Sequence, residues 1–353
     1  MKIGGEWMRA GFLIGLNEFE IREMDVPQCH QNEVIVKVEA SGICGSDIHK
    51  MSKGWKYQLP MIMGHEMAGT IVKVGRSVHH LKKDDRVAVV PFIPCRNCAY
   101  CAIGKYQLCM DYIMMGSQRF GGFAEYVSVP ASNIVKIGTK LSFEEAAMIE
   151  PLAVSAHGAY GIEPKVGDVV AVFGLGTIGL LTIQWLKIAG VKTIIGIDIQ
   201  SEKLEQAIDL GVTDTINPSL QDLETEISRI TDGLGVDIAM ECAGTKITEE
   251  QCLLVTKKGG KIGFQGIAYS DVLIRQRAFV KIFRSELTIK GFWNSYSAPF
   301  PGKEWFDSIT FLESGRLSVS HMISHRFPLE DLQRAFDLAV NRSESFNKIM
   351  IML

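Results

Sequence analysis

Four of the eight cysteines, Cys95, Cys98, Cys101 and Cys109, fall within a segment of fifteen residues. Four thiolates complete the tetrahedral shell of a zinc ion and leave no position for water or substrate, so this spacing predicts a structural zinc site. An iron–sulfur cluster is the chemical alternative, because CxxCxxC with a further cysteine loosely resembles ferredoxin spacing. The fourth cysteine comes eight residues after the third and is not followed by proline, which favours zinc. A group of free thiols is the third interpretation.

A second set of metal-binding residue types is dispersed along the first half of the chain. Cys44 opens the segment Cys-Gly-Ser-Asp-Ile-His, His65 and Glu66 are adjacent, and Glu150 belongs to a Glu-Pro pair. One thiolate, one imidazole and one or two carboxylates suit a catalytic zinc with an exchangeable position. Taken singly, each residue has an ordinary structural explanation as a core cysteine, a hydrogen-bonded histidine or a helix-end carboxylate. The metal hypothesis therefore depends on their combination with a cofactor site.

A GxGxxG motif at Gly174, Gly176 and Gly179 indicates that cofactor site. The motif follows an apolar strand and opens an amphipathic helix, which is the context in which backbone N–H groups bind a pyrophosphate. The next predicted strand ends at Asp198, whose carboxylate can accept hydrogen bonds from the adenosine ribose and would repel a 2′-phosphate. No arginine pair follows Asp198, so NAD is favoured over NADP. A glycine-rich turn without a ligand is the alternative.

The elements that must position these residues change character along the chain. Up to about Val129, short β-branched runs are separated by Gly, Pro and Asp, which predicts a barrel-like or sandwich-like β domain. From Val169 to Gly291, apolar strands alternate with helix-length stretches, which is typical of a parallel, doubly wound sheet. The predicted strands are 33–38, 68–74, 86–90, 124–129, 169–173, 193–198, 236–242, 261–265, 287–291 and 348–352, and the predicted helices are 178–189, 202–210, 304–314 and 329–339.

Length and composition exclude several classes of protein. A chain of 353 residues exceeds the roughly 250 to 300 residues that one core serves, so we expect two domains. A composition of 47% hydrophobic and 22% charged residues excludes a disordered or fibrous chain. A net charge of −3 disfavours nucleic acid as a partner. No apolar run approaches the ~18 residues of a membrane-spanning helix, so we expect no membrane partner and a cytoplasmic location.

Together, these motifs resemble the zinc-containing medium-chain dehydrogenase family, from about residue 8 to residue 353. The resemblance implies an α/β fold with a β-rich, GroES-like catalytic domain that holds two zinc ions and a doubly wound Rossmann domain that binds NAD. It implies a discontinuous catalytic domain at 1–156 and 299–353, and a Rossmann domain at 157–298. It also implies a homodimer or homotetramer in which the last Rossmann strand, near 287–291, pairs between subunits.

The resemblance assigns roles to individual residues. Cys44 and His65 match the thiolate and imidazole ligands of the catalytic zinc, and Glu66 matches a carboxylate that touches this metal directly or through water. Ser46 matches the hydroxyl that passes the substrate proton outward, and His49 extends this relay toward solvent. A surface histidine and a turn-forming serine are the alternatives. The residues matched to the cofactor site are Gly174, Gly176, Thr177, Ile178, Gly179, Asp198 and Lys203.

Glu150 selects a branch of this family. The common alcohol dehydrogenases have a second cysteine as the remaining ligand, whereas the Glu-Pro pair at Glu150 resembles the polyol, sugar-phosphate and threonine dehydrogenases. We therefore expect hydride transfer between NAD and a secondary hydroxyl of a polyol or polyol phosphate. The alternatives are an unphosphorylated polyol or threonine as substrate and, in another class, a non-catalytic NAD-binding sensor or structural protein. The cations that could bind a phosphate are, by sequence position, Lys53, Lys56, Arg119, Lys281 and Arg284.

Overall fold

The computed structural model describes residues 7–53 and 56–353, and of Lys53 only the backbone. The first six residues of the expected catalytic domain and the side chain of Lys53 therefore lie outside the described part. The chain divides into two compact units, one made of the chain up to Glu150 together with Tyr296–Leu353, and the other of Pro151–Ser295.

The observed division of the chain falls slightly before the boundaries expected from sequence, which were 156/157 and 298/299. The segment after Glu150 groups with the second unit because its backbone is bonded there. Trp185 Nε1 donates to the carbonyl oxygen of Leu152 at 3.0 Å, and Gln265 Nε2 donates to that of Val154 at 3.0 Å.

The first part of the chain is mostly β-structure, and strands alternate with helices from Val169 onward. The strands are β1 (Trp7–Gly15), β2 (Glu18–Asp25), β3 (Glu33–Ile43), β4 (Met61–Ile62), β5 (Glu66–Val74), β6 (Arg86–Val89), β7 (Phe92–Ile93), β8 (Ile113–Met114), β9 (Tyr126–Pro130), β10 (Ile134–Lys136), β11 (Val169–Phe173), β12 (Thr193–Ile197), β13 (Asp214–Ile216), β14 (Val236–Glu241), β15 (Thr256–Phe264), β16 (Thr288–Gly291), β17 (Ile323–Pro328) and β18 (Lys348–Met352). The helices are α1 (Gly45–Lys53), α2 (Ala99–Ala102), α3 (Phe143–Ala147), α4 (Ile149–Gly161), α5 (Thr177–Ile188), α6 (Ser201–Asp209), α7 (Leu223–Ile230), α8 (Lys246–Val255), α9 (Gln276–Arg284), α10 (Lys303–Glu313) and α11 (Leu332–Asn341).

The first unit is built on a seven-stranded sheet in the order β10-β6-β5-β3-β18-β17, with β9 also paired to β3. Most of its pairs are antiparallel, and the C-terminal β18 lies against β3. A smaller sheet, β2-β1-β4, and the helix α11 pack around an apolar core of this unit. The C-terminal segment thus completes a sheet that the N-terminal segment begins, which makes this unit discontinuous.

The second unit is a parallel six-stranded sheet in the order β13-β12-β11-β14-β15-β16. Its inner strands β11, β12 and β14 are almost wholly buried, as expected for strands covered on both faces. The strand order reverses direction at β11, whose neighbours are β12 on one side and β14 on the other. This reversal is the topological switch point at which parallel α/β sheets bind ligands. The expected fold class, a GroES-like domain plus a Rossmann domain, is confirmed.

The predicted elements agree with the structure except at some ends. β11 and β18 have the predicted bounds, whereas β15 starts at Thr256 rather than at Lys261. The pairing of β14 with β15 shifts register between Val236 and Ile238, whose partners are Thr256 and Lys261. This irregularity contains two glycines, a composition that does not resemble a strand. In the described part of the chain, no helix is long and apolar enough to cross a membrane.

Candidate metal centre and cofactor site

The first metal-binding group lies at one edge of the seven-stranded sheet, where β3 ends and its neighbour β5 begins. β3 and β5 run antiparallel with Gly42 opposite Glu66, so the end of β3 and the start of β5 share one edge. Cys44 follows β3, and His65 directly precedes β5. The ligand atoms of Cys44, His65 and Glu66 all lie within 4.8 Å of one another. The structure therefore brings three of the four predicted catalytic-zinc ligands together.

The fourth predicted ligand, Glu150, lies in the first turn of α4 and is buried. It is not a member of the compact group of three. Burial raises the pKa of Glu150 to about 7, the charge of His65 lowers it, and the charge of Glu66 raises it. Within the described part of the chain, its carboxylate accepts no hydrogen bond. Its oxygens are therefore available to a cation or to a substrate hydroxyl.

Asp47 lies behind the histidine. Its Oδ1 is 3.2 Å from His65 Nδ1, and its Oδ2 accepts a hydrogen bond from the backbone N–H of Cys44 at 3.2 Å. Asp47 is completely buried. Burial raises the pKa of Asp47, but the charge of His65, together with the charge of Lys50 and the N–H of Cys44, outweighs burial and holds the pKa below its usual range. A carboxylate on one ring nitrogen orients the imidazole and leaves the other nitrogen for a metal.

Lys348 lies on the other side of the group, at the start of β18. Its Nζ donates to both carboxylate oxygens of Glu66, at 2.7 and 2.6 Å, and to the carbonyl oxygen of Ile43 at 3.2 Å. Both side chains of the ion pair are buried. Because β18 pairs with the end of β3, the C-terminal strand delivers this ammonium to the metal-binding group. The charge of Glu66 is thus neutralised within the protein.

The two predicted proton-relay residues lie on α1, the helix that follows Cys44. Ser46 and His49 are three residues apart and half-buried. Residues at this spacing lie on the same side of a helix. The helix therefore places the hydroxyl and the imidazole as neighbours, next to the metal-binding thiol.

The cysteine segment also folds into a compact group, with the four sulfurs within 4.8 Å of one another. The backbone N–H of Cys95 donates to the Sγ of Cys109 at 3.2 Å. Hydrogen bonds from the backbone of Met110 and Cys101 lower the pKa of Cys98 to about 6, whereas burial raises that of Cys101 to about 12. N–H groups that stabilise thiolates suit a metal site with four cysteine ligands, and the geometry disfavours the alternative of unrelated thiols.

The glycine motif has the geometry that a pyrophosphate requires. Gly174 has φ of +83°, which favours glycine, and a Cβ at Gly179 would lie 1.9 Å from the carbonyl oxygen of Gly174. A Cβ at Gly176, in contrast, would meet nothing within 4 Å. Gly176 is the N-cap of α5, and Thr177 and Ile178 form its first turn. The protein thus keeps an open space at the N-terminus of this helix, where an anion binds favourably.

Asp198 follows β12 and shapes the neighbouring loop. Its Oδ2 accepts a hydrogen bond from the N–H of Leu175 at 2.7 Å, and its Oδ1 accepts one from the N–H of Gln200 at 2.9 Å. Lys203, in the first turn of α6, is buried. Burial lowers the pKa of Lys203, and the charge of Asp198 opposes this effect. The structure therefore brings an acid and a lysine near the glycine motif, and fixes the acid through backbone groups.

Comparisons with known proteins find matches over most of the chain. Residues 30–139 match the alcohol dehydrogenase GroES-like domain, and residues 177–314 match the zinc-binding dehydrogenase model. Galactitol 1-phosphate 5-dehydrogenase of Escherichia coli K12 is 36% identical over 91% of this chain and 93% of its own. Sorbitol dehydrogenase of Bacillus subtilis 168 is 34% identical over 98% and 97% of the two chains.

The solved structures give the same result. The crystal structure of galactitol-1-phosphate dehydrogenase from Escherichia coli superimposes with a TM-score of 0.93 at 33% identity, over 98% of this chain and 100% of that chain. A zinc-binding dehydrogenase of Sinorhizobium meliloti 1021, bound to NADP, gives 0.91 at 31% identity, over 99% and 100% of the two chains. The chain belongs to the zinc-type medium-chain alcohol dehydrogenase family. It is an oxidoreductase of the zinc-dependent alcohol and polyol dehydrogenase class.

Two residues beside the metal centre of this medium-chain dehydrogenase were not identified from the sequence. Asp47 lies inside the Cys-Gly-Ser-Asp-Ile-His segment, three residues after Cys44, and this spacing within one helical turn was a usable signal. Lys348 has no such signal, because it is 282 residues from Glu66, and only the pairing of β18 with β3 brings the two together.

Proposed function

We propose that this dehydrogenase transfers a hydride between NAD and a secondary hydroxyl of a polyol or polyol phosphate, similar to galactitol 1-phosphate. The observation that supports this proposal is the donor set at the catalytic centre. A thiolate, an imidazole and a carboxylate form a group of three, and a further buried carboxylate, Glu150, lies close enough for the charges of His65 and Glu66 to act on it. By its resemblance to the polyol branch, Glu150 replaces the second thiolate of the common alcohol dehydrogenases. Hard oxygen donors leave zinc a stronger Lewis acid than a second thiolate would.

The buried charges around the centre fit a divalent cation. With the four acids ionised and the imidazole neutral, as metal binding requires, the negative charges exceed the positive ones by two, and unbalanced charge of this kind is unfavourable without a counterion. The groups that can carry a negative charge are Cys44, Asp47, Glu66 and Glu150, and those that carry a positive charge are Lys50 and Lys348. One Zn²⁺ would neutralise the set, held by Cys44, His65 and Glu66 with Glu150 as the additional ligand.

Four residues of the chain have separate roles in the proposed reaction. When bound, zinc supplies a positive charge that lowers the pKa of the substrate hydroxyl and stabilises the developing oxyanion. Ser46 accepts the proton of that hydroxyl and passes it to His49, which releases it toward solvent. Asp47 keeps the ring of His65 in the orientation that metal binding needs. Lys348 holds the Glu66 carboxylate in place.

We propose NAD rather than NADP as the hydride acceptor. Gly174, Gly176 and Gly179 leave space for the pyrophosphate, and the carboxylate of Asp198 would accept hydrogen bonds from the ribose hydroxyls and repel a 2′-phosphate. Lys203 is the buried lysine next to Asp198. Because a relative of this chain binds NADP, this choice needs its own assay, in which we expect kcat/KM for NAD to exceed that for NADP by at least about tenfold.

The experiment that tests the proposal is an assay of NAD reduction over galactitol 1-phosphate, galactitol, sorbitol and L-threonine with the zinc-loaded protein. We expect the phosphorylated polyol to give the highest kcat/KM. A free polyol or threonine as the preferred substrate would replace the proposal with the corresponding alternative. Absence of turnover with every compound, together with tight NAD binding, would favour a non-catalytic sensor.

We also propose that the chain forms a homodimer or homotetramer through β16. This strand ends the six-stranded sheet, pairs only with β15 within the described residues, and exposes all four of its residues, including Ile289. An exposed edge strand with an apolar residue is a ready template for pairing with a second chain. Light scattering should show an assembly for the wild type and a shift toward monomer for Ile289→Lys. A monomeric wild type would overturn this proposal.

A further inference from the structure

Lys50 holds a partly buried ammonium beside the metal-binding group. Its Nζ donates to the Oγ of Ser117 at 2.9 Å and lies 4.0 Å from the Oδ1 of Asp47. Ser117 is completely buried, and Asp47 contacts His65. The side chain of Lys50 nevertheless keeps 23% of its surface exposed. The side chain is therefore anchored by Ser117, next to Asp47, and remains partly exposed.

The position of Lys50 on α1 relates it to Ser46, the proposed acceptor of the substrate proton. Ser46 and Lys50 are four residues apart, so both lie on one face of the helix. One helical turn, about 5.4 Å along the axis, separates their positions. Because Ser46 is the proposed acceptor of the substrate proton, Lys50 lies one helical turn from the residue that would face the reacting hydroxyl.

Sequence analysis did not identify Lys50, and the described cations that it did identify are engaged elsewhere or exposed. Arg119 bonds to Glu33 at 2.8 Å, and Lys281 bonds to backbone carbonyls at the end of α8. Lys56 is exposed, and Arg284 is an exposed residue of α9 in the other unit. Among these described cations and Lys50, it is Lys50 that both lies beside Asp47, the carboxylate behind His65, and keeps a partly exposed side chain.

We propose that Lys50, anchored by Ser117, binds the phosphate of a phosphorylated polyol and so determines the preference for phosphorylated over free substrates. The inference rests on the proposed function, since it specifies the substrate class of the same site. An ammonium has three donors, and the bond to Ser117 uses one. The remaining donors can pair with phosphate oxygens, for which a lysine is a suitable point charge.

The test compares kcat/KM for galactitol 1-phosphate with kcat/KM for galactitol, at saturating NAD. In Lys50→Met, we expect the ratio of the two values to fall about 30-fold, because a charge-assisted hydrogen bond to the phosphate is lost. Lys50→Arg should keep the ratio within about threefold of wild type, since it keeps the positive charge. The wild-type ratio should also fall as ionic strength rises.

The matched control is Lys83→Met, which removes the same charge from an exposed position of the same unit. Lys83 lies in the connection between β5 and β6, at the opposite end of β5 from Glu66. For Lys83→Met, the ratio of kcat/KM for galactitol 1-phosphate to that for galactitol should equal the wild-type ratio. Calorimetric titration of galactitol 1-phosphate into the zinc-loaded protein without NAD provides a second measurement, in which Lys50→Met should weaken the Kd by a similar factor.

The outcomes separate this inference from the proposed function. If Lys50 only balances the charge of Asp47, both substrates lose activity in parallel and the unchanged ratio overturns the inference. Lys50→Gln, which can still bond to Ser117, gives the same ratio test if Lys50→Met does not fold. A wild type that oxidises both substrates equally well overturns the inference alone. A wild type that oxidises no polyol overturns the proposed function itself.

Discussion

Lys348 and Glu66 form the ion pair on which the catalytic centre depends most directly. Both side chains are buried, and the ammonium contacts both carboxylate oxygens. The pair offsets part of the cost of burying each charge, but it also means that neither partner can be removed alone without leaving an unpaired charge. Burial strengthens the electrostatic interactions of the Glu66 carboxylate, because little water is present to screen its charge.

Lys348→Met should therefore destabilise the protein by about 3–5 kcal/mol, since it leaves Glu66 buried and unpaired. Urea unfolding of the metal-free protein measures this difference. The double variant Lys348→Met, Glu66→Gln should recover most of the loss, because it removes both charges. A single variant as stable as the wild type would show that the pair contributes nothing to folding.

Asp47 acts on the metal through His65. Asp47→Asn keeps the shape of the side chain but weakens the hold on the imidazole ring, whose Nδ1 lies 3.2 Å from Oδ1. We expect zinc affinity or turnover to fall by about 10- to 100-fold, as for other carboxylates that orient a metal-binding histidine. Competition with a zinc chelator measures the affinity. An affinity equal to that of the wild type, with unchanged turnover, would argue against this role.

At the scale of elements, two glycines of the turn between β11 and α5 have different roles: Gly179 is needed for folding and Gly176 for cofactor binding. A Cβ at Gly179 would collide with the carbonyl of Gly174, whereas a Cβ at Gly176 would enter open space. Gly179→Ala should thus lower stability as well as NAD affinity. Gly176→Ala should fold normally and weaken NAD binding at least about tenfold, because the methyl group occupies the pyrophosphate space. Melting temperature and NAD fluorescence titration on both variants distinguish the two effects.

A side-chain contact between β3 and β9 makes a pH-dependent contribution to the free energy of unfolding. Burial raises the pKa of Glu33, but hydrogen bonds from Ser128 and Arg119 outweigh burial and hold the pKa below its usual range. A carboxylate of this kind stabilises the fold at a pH above its unfolded pKa, and the contribution is lost as the pH falls through the folded pKa. Glu33→Gln should therefore destabilise the protein near neutral pH and less so in acid.

The measurement for Glu33 is the difference in unfolding free energy between wild type and variant, followed from about pH 7 toward pH 3. Effects that do not involve Glu33 cancel in the difference, whereas the charge of His30, which lowers the pKa of Glu33, acts in the wild type alone. A difference that stays constant with pH would show that the carboxylate is not in its ionised, hydrogen-bonded form in the folded protein.

At the scale of the whole molecule, the two metal-binding groups should contribute differently, one to catalysis and the other to stability. The wild type should hold two zinc ions per chain, measured by atomic emission. Cys44→Ser should hold one, lose turnover and keep NAD binding, and it should lose less thermal stability than Cys98→Ser, because the open site at Cys44 does not close a segment of the chain. Cys98→Ser should also hold one, but should lose thermal stability, because the closed four-thiolate shell holds its segment together. Equal stability of the two variants would contradict this division.

The amino-acid sequence by itself determined the local chemistry. The spacing of Cys95, Cys98, Cys101 and Cys109, and of the glycines after β11, makes each group contiguous, so the chain can form it whatever happens elsewhere. Alternating strand and helix lengths likewise predicted the parallel sheet, because side-chain periodicity is a local property. The Glu-Pro pair at Glu150 indicated the polyol branch.

Only the tertiary structure decided how the catalytic centre is balanced. Lys348 reaches Glu66 through the pairing of β18 with β3, and Lys50 meets Ser117 across a separation of 67 residues. Contacts of this kind depend on which strands become neighbours, and no periodicity in the sequence encodes that choice. For the same reason, the sequence could name Glu150 as a ligand but not place it outside the compact group of three. Charge balance in a buried site is a property of the assembled fold.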